Sequence, residues 1–435
     1  MSARAAVLDM LMKMEKSGYS NIILDSRLDG SGLSPQDKRF AARLFYGVLE
    51  RQLTLDSVLS EYSSKPVDKL SPEVRQVLRM AVFQLLYMDS VPDNAAVNES
   101  VELIKQTKKQ GTSGFVNAVL RSFIRGGKTV KYPEDKAEMF SIKYSCPLWL
   151  VEQLLREYDE ESVLSLLGVS VDSCKTAIRV NTLKTDAETL IECLASENIN
   201  AVRAGIPENC LISDNIGSIE NCSAFAEGLF HVQDISSQLC CMALEPKPDE
   251  VVLDVCAAPG GKTFTIAELM GGRGSIYALD LHKKRVDMIA GGAERLGITC
   301  VSALQSNSKE HNTVLPPADR ILCDVPCSGL GVIGRKPEIK YKPKESLDGL
   351  PELQYEILSR SSEYLKKGGT LVYSTCSVSR AENDEVIARF LSEHEDFAGE
   401  NFADTTLFGS GYSITMFPKD FGGDGFFIAR LKRIR

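Results

Sequence analysis

Histidine and tryptophan are scarce in this chain: four histidines and one tryptophan, Trp149, among 435 residues. The histidines, at 231, 282, 311 and 394, lie far from one another, and no C-x2-C pair occurs among the twelve cysteines. Together these absences remove the usual zinc spacings, and no metal is expected. Cysteines so scattered are no disulfide framework either, and they suit a cytoplasmic protein. No run of about 18 apolar residues occurs, so no membrane span or membrane partner is expected. The opening stretch MSARAAVLDMLMKMEKSGYS works charge into its apolar run, as an amphipathic helix does and a secretory signal does not.

Two nucleotide-binding signatures are also missing. DVCAAPGGKT, residues 254 to 263, looks like a phosphate-binding loop, but Cys256 stands where the Walker pattern needs its first glycine. The dinucleotide fingerprint fails as well, because no G-x-G precedes the run and Pro259 occupies the turn. The formal charge of −9 argues against indiscriminate coating of nucleic acid. Local basic runs stand out against it. Residues 105 to 131 hold seven Lys and Arg with no acid, and RKPEIKYKPK at 335 to 344 holds five against one. One such run is ordinarily a solvated face; two on an acidic chain point to an anionic partner.

The length implies two or three domains. Residues 1 to 128 read as all helix: SPEVRQVLRMAVFQLLYM carries apolar residues at 74, 77, 78, 81, 82 and 85, with Ser71 as N-cap and Pro72 opening the helix. SPQDKRFAARLFYGVLE repeats that start at Ser34 and Pro35. GGKTVKYPED has the composition of a linker, and residues 129 to 240 combine helices such as PLWLVEQLLREYDEESVLSLLG with short strands around one helix, a small α/β subdomain. From 241 to 435 strands and helices alternate as in a doubly wound sheet: VVLDVC, SIYALD, CVSALQ, ADRILCDVP and GTLVYSTC. GYSITMFP and GFFIARLKR are expected to close the domain as an antiparallel hairpin at the sheet's edge.

In an open parallel sheet the ligand sits at the carboxyl ends of the strands. Those ends carry Asp254 and the CAAPGG turn, Asp280, the segment 305 to 307, Asp324 with Cys327, and Thr375 with Cys376. An acid at 280, following a glycine turn on the preceding strand, suits the ribose of a nucleoside-bearing cofactor. Without a phosphate loop, that cofactor is expected to be S-adenosyl-L-methionine.

DVCAAPGGKT, DVPCSGLGVIGRKPEIKY and YSTCSVSRAEN, in that order on successive strand ends, resemble the signature motifs of the RNA 5-methylcytosine methyltransferases. Among them the chain most resembles the Sun/Fmu (RsmB) type acting on bacterial small-subunit (16S) ribosomal RNA. RVNTLK (179 to 184) and VQDISSQL (232 to 239) resemble that type's middle segments, and the first 128 residues its NusB-like RNA-binding domain. The resemblance implies a multi-domain chain: an all-α NusB-like bundle, a small α/β RNA-binding subdomain, and a Rossmann-like catalytic domain.

The implied chemistry needs a thiolate to add to carbon 6 of cytosine, because carbon 5 is a poor nucleophile. By resemblance Cys376 is that nucleophile, Asp324 the acid partner at the ring nitrogen, Cys327 the helper in releasing the enzyme thiol, and Lys262 a cation supporting the site. The turn Cys256, Ala257, Ala258, Pro259, Gly260, Gly261 and Lys262 is expected to meet the methionine part of the cofactor, Asp280 the ribose, and Asn307 and Asp324 the remaining sides. Asn307 stands where the family usually has aspartate. Arg179, Asn181, Arg335, Lys336 and Lys340 are the expected RNA contacts; Gly334 replaces an arginine common in relatives. The protein is expected to be a monomer.

Other readings carry their own marks. A cytosine-DNA methyltransferase would use Cys327 as nucleophile, and an amino-group methyltransferase would show N/D-P-P-Y where this chain has DVPC. A non-catalytic RNA-binding or assembly factor would not need the two motif cysteines. A transfer RNA cytosine-5 methyltransferase would share the motifs, differing only in substrate.

Overall fold

The computed structural model describes residues 2–16, 18, 20–214, 216 and 219–435. The chain forms two compact units, Met1–Cys174 with Ile333–Lys342, and Lys175–Val332 with Pro343–Arg435.

The first unit is helical: α1 (Ala3–Met14), α2 (Ser20–Leu28), α3 (Pro35–Glu50), α4 (Gln52–Tyr62), α5 (Pro72–Tyr87), α6 (Asp93–Lys105) and α7 (Ser113–Arg125), then α8 (Lys136–Tyr144), α9 (Leu148–Glu157) and α10 (Glu160–Leu167). Ser34 caps α3 by accepting from the Asp37 N–H. Ser71 holds the N-cap position of α5, but its hydroxyl makes no capping bond. α5 is the axis of the bundle and is buried well beyond the apolar stripe its sequence shows. Its buried Arg79 is tolerated because Asp56 of α4 takes two of its N–H groups, at 2.7 and 2.6 Å. Phe45, Val77, Leu78, Val82, Leu120 and Phe123 fill the core around it. PLWLVEQLLREYDEESVLSLLG divides into α9 and α10 at Tyr158, where Asp159 caps the second helix from the Ser162 N–H.

The second unit holds two sheets. The smaller runs β1 (Thr176–Val180), α11 (Ala187–Ser196), β2 (Ala201–Arg203), β3 (Cys210–Ser213), α12 (Ser223–Ala226) and β4 (Phe230–Val232). Its order is β2-β3-β1-β4, antiparallel throughout, a βαββαβ arrangement of the ferredoxin-like kind.

The larger sheet follows α13 (Ile235–Leu244): β5 (Val251–Asp254), α14 (Gly261–Leu269), β6 (Ser275–Asp280), α15 (Lys283–Leu296), β7 (Val301–Gln305), β8 (Ala318–Asp324), α16 (Leu350–Ser362), β9 (Leu365–Thr375), α17 (Asp384–Glu393), β10 (Phe397–Gly399), α18 (Thr405–Phe408), β11 (Ser413–Met416), α19 (Pro418–Phe421) and β12 (Phe426–Arg433). Its order is β10-β12-β9-β8-β5-β6-β7, with β11 on β12. β5 to β9 run parallel, and their apolar runs are covered on both faces, by α13, α14 and α15 on one and α16 and α17 on the other. The chain leaves β5 toward β6 on one side and returns to β8 on the other, so the switch point lies beyond the ends of β5, β6 and β8.

The expected terminal hairpin is corrected here. β11 and β12 do pair antiparallel, but β12 is no edge strand: it lies between β9 and β10, pairing Phe427 with Thr375 and Leu431 with Leu371. Its apolar run FFIA, residues 426 to 429, suits that interior place, and the buried Arg430 that follows pairs with Glu400.

Candidate active site

The parallel strands deliver their carboxyl ends to one cavity of about 470 Å³. Its lining includes Cys256 and Ala258 from the turn after β5, Asp280 and Leu281 after β6, Asn307 after β7, Asp324 and Cys327 after β8, and Cys376 after β9.

The turn after β5 is shaped by Gly260, whose φ of +111° lies in the left-handed region and where a Cβ would fall 2.4 Å from the Phe264 ring. Only glycine satisfies both conditions. Ala257 faces the protein, giving its N–H to Leu279 O, and Pro259 faces outward. Cys256 and Ala258 are therefore the members of this turn that line the cavity, while Gly260 and Gly261 begin α14 and aim Lys262 inward.

Lys262 reaches the end of β8, where its Nζ lies 2.8 Å from Asp324 Oδ2. Burial is the largest influence and opposes its charge, yet the Asp324 carboxylate together with the neighbouring Cys240 and Cys241 raises the lysine above its ordinary value. Asp324 pairs in register with Ser374 of β9, and the Ser374 hydroxyl donates to its other oxygen at 2.9 Å. Beneath them Asp254 is fully enclosed: Thr263 donates to Oδ2 at 2.6 Å, while Oδ1 has no partner. Burial pushes this carboxyl up to about 7.

Asp280, only 4% exposed, accepts the His282 N–H on Oδ1, and Arg285 stands 3.4 Å from Oδ2. The same guanidinium donates to Ala258 O, tying the β5 turn to the β6 acid. Asn307 is folded into its own loop, its amide donating to Glu310 and accepting the Lys309 N–H.

The two motif cysteines meet. Sγ of Cys327 lies 2.9 Å from Sγ of Cys376. The hydrogen bond with Cys376, then burial, then the nearby Glu382 and Asp324 carboxylates hold the Cys327 thiol well above its ordinary value, so it keeps its proton. The loop behind them is closed by Gly331, whose N–H donates to Cys376 O and whose carbonyl accepts from Gly425.

Of the expected RNA contacts in the second unit, neither Arg179 nor Asn181 lines this cavity. Arg179 and Asn181 are 3% and 0% exposed. Arg179 pairs with buried Glu268 at 2.8 Å, and Asn181 donates to Gly228 O and Leu296 O, so both are built into the second unit's interior. In the first unit Lys340 is buried, its ammonium donating to Glu50 O and Tyr144 O, and burial lowers it to about 8. Lys336 is exposed and Arg335 partly so. Residue-by-residue reading missed Ser374, Arg285 and Glu382. Each sits inside or just after one of the motifs above, but a partner that gives it meaning lies on another segment of the chain.

An open sheet in this order, with acids and thiols at its carboxyl ends and a glycine turn after the first strand, is the architecture of the Rossmann-type methyltransferases. Three family models divide the chain: the NusB family over residues 1–125, a Methyltr_RsmF/B-like ferredoxin-like domain over 146–220, and the 16S rRNA methyltransferase RsmB/F over 241–432. A probable ribosomal RNA small subunit methyltransferase B of Bacillus subtilis is 39% identical over 99% of both chains. Among solved structures, the protein PH0851 superposes with a TM-score of 0.83 at 27% identity, over 99% of each chain. NSun6 from Pyrococcus horikoshii, solved with SFG, an analogue of S-adenosylmethionine, shares the fold over 70% of this chain and 99% of its own, with a TM-score of 0.58 at 22% identity. The chain belongs to the RsmB/F family of 16S ribosomal RNA methyltransferases.

Proposed function

We propose that this protein methylates carbon 5 of a cytosine in small-subunit ribosomal RNA, using S-adenosylmethionine, through a covalent adduct to Cys376. The observation that carries the reading is the thiol pair: two cysteines from neighbouring strand ends, 2.9 Å apart and beside the Lys262–Asp324 pair, on the wall of one cavity.

The cavity fits the cofactor. It has the volume of a small-molecule site, with apolar Leu281, Val325 and Ile357 and two carboxylates in its lining. Asp280 would hold the ribose hydroxyls, and Cys256, Ala258 and Lys262 would surround the amino-acid end; Asn307 would reach the adenine side. When bound, S-adenosylmethionine supplies an electrophilic methyl group on a sulfonium.

The remaining chemistry belongs to side chains. Cys376 adds to carbon 6 of the target cytosine and makes carbon 5 nucleophilic. Asp324, oriented by Lys262 and Ser374, faces the ring nitrogen and stabilises the adduct. In the last stage carbon 5 gives its hydrogen as a proton to water, the carbon 5–carbon 6 double bond re-forms as the carbon 6–sulfur bond breaks, and Cys327, which keeps its proton next to Cys376, donates it to the departing Cys376 sulfur. RNA is held by exposed groups of the first unit, Lys108, Lys109, Arg121, Arg125 and Lys336, whereas Lys105, Lys128 and Lys131 are already paired with Glu102, Asp93 and Glu61. Arg335, partly exposed, joins them, and Arg179, Asn181 and Lys340 shape the scaffold.

The test compares two alanine variants on unmodified 16S ribosomal RNA in denaturing gels. Cys376→Ala forms no covalent complex and no product, whereas Cys327→Ala accumulates the complex. Wild-type turnover by Cys376→Ala would end the reading.

A further inference from the structure

Glu382, the penultimate residue of the YSTCSVSRAEN stretch, is 3% exposed and has no part in the chemistry proposed above. Its carboxylate is nonetheless the meeting point of both cysteine loops. Oε2 accepts the backbone N–H of Ser328, next to Cys327, at 2.8 Å, and the side-chain amide of Gln354 from α16 at 2.9 Å. Oε1 accepts the hydroxyls of Ser328 and of Ser377, next to Cys376, at 2.5 and 2.6 Å. Those hydroxyls also lie 2.9 Å from each other, and the Gln354 amide bonds Pro326 O. Behind the carboxylate, the Tyr373 hydroxyl donates to the Glu382 carbonyl, and Asn383 bonds Thr375 and the Ser377 carbonyl.

We infer that Glu382 is the positioning residue that sets the distance and mutual orientation of Cys327 and Cys376. Four donors from three segments converge on one buried carboxylate, which is more than a fold needs to close a loop and is what a fixed sulfur–sulfur distance requires. The carboxylate also acts electrostatically: with Asp324 from the end of β8 and Cys376 from the end of β9, it is among the groups facing Cys327 that favour the protonated thiol. Glutamine has nearly the same shape but loses the charge and replaces one accepting oxygen with a donating amide, so either the two N–H donors lose their acceptor or the two hydroxyls must turn from donating to accepting.

The experiment measures the rate of iodoacetamide alkylation of each cysteine against pH, by peptide mass spectrometry on the full chain, in wild type and Glu382→Gln. Cys193, on α11, serves as internal control. Glu382→Gln is expected to move the Cys327 profile to lower pH and leave Cys193 unchanged. The inference rests on the methyltransferase reading for its second readout: kcat for methyl transfer is expected to fall about 100-fold, with KM for S-adenosylmethionine within about twofold. A shifted Cys327 profile in a protein whose wild type transfers no methyl group supports the positioning role while the functional reading fails. A folded Glu382→Gln with unchanged profiles and wild-type kcat overturns it. Should Glu382→Gln not fold, Ser377→Ala removes a single donor and is expected to lower kcat about tenfold; a wild-type kcat there overturns it as well.

Discussion

Lys262 and Asp324 face each other at 2.8 Å, joining the first turn of α14 to the end of β8. Lys262→Met leaves the Asp324 carboxylate with Ser374 as its remaining partner among these groups. Methyl transfer is expected to fall by a factor on the order of 100 or more. Lys262→Arg is not a rescue, because the guanidinium fork does not fit the place of a point charge. Steady-state kinetics on 16S ribosomal RNA check both variants.

Arg179 and Glu268 make a buried pair, and His231, lowered by burial to about 3, lies against the same carboxylate. Arg179→Ala is expected to destabilise the protein by about 3 to 5 kcal/mol, because it strands a buried carboxylate. Denaturant unfolding measures this. RNA affinity lost at wild-type stability would instead place Arg179 in contact with RNA.

Asp254 gives a pH signature. Its folded pKa of about 7 exceeds the ordinary carboxyl value, so the stability it contributes is present below pH 4 and is lost as the pH rises toward 7. Asp254→Asn abolishes that titration. Relative to wild type the variant gains stability between pH 4 and 8, by up to about 4 kcal/mol, as read from melts across that range. A constant difference between the two proteins would contradict the burial argument.

Gly331 has no room for a side chain: a Cβ there would lie 1.8 Å from Gly425 O. Gly331→Ala must displace either the strand leading into β12 or the loop that holds Cys376 O. It is expected to lose methyl transfer by about tenfold or more while retaining cofactor binding, which calorimetry would show.

The parallel strands were legible because strands buried on both faces read as apolar runs, and their terminal acids mark the carboxyl ends. The βαββαβ order was not, since β2 has three residues and α12 four, too few to show a period. The interior place of β12 depends on pairing with β9, a non-local contact that no local pattern encodes. Arg179 and Lys340 looked like surface cations because their partners, Glu268 and the carbonyls of Glu50 and Tyr144, are distant in sequence. Cys327 and Cys376 were legible as a pair through the motifs that flank them; the carboxylate of Glu382 that joins their loops became visible only once the strands were side by side.

The most direct measurement of the central claim is transfer of a radiolabelled methyl group from S-adenosylmethionine to unmodified 16S ribosomal RNA, followed by digestion to nucleosides. The account predicts label in 5-methylcytidine with the wild type and none with Cys376→Ala. Label in any other nucleoside, or no label while the RNA is bound, would contradict it.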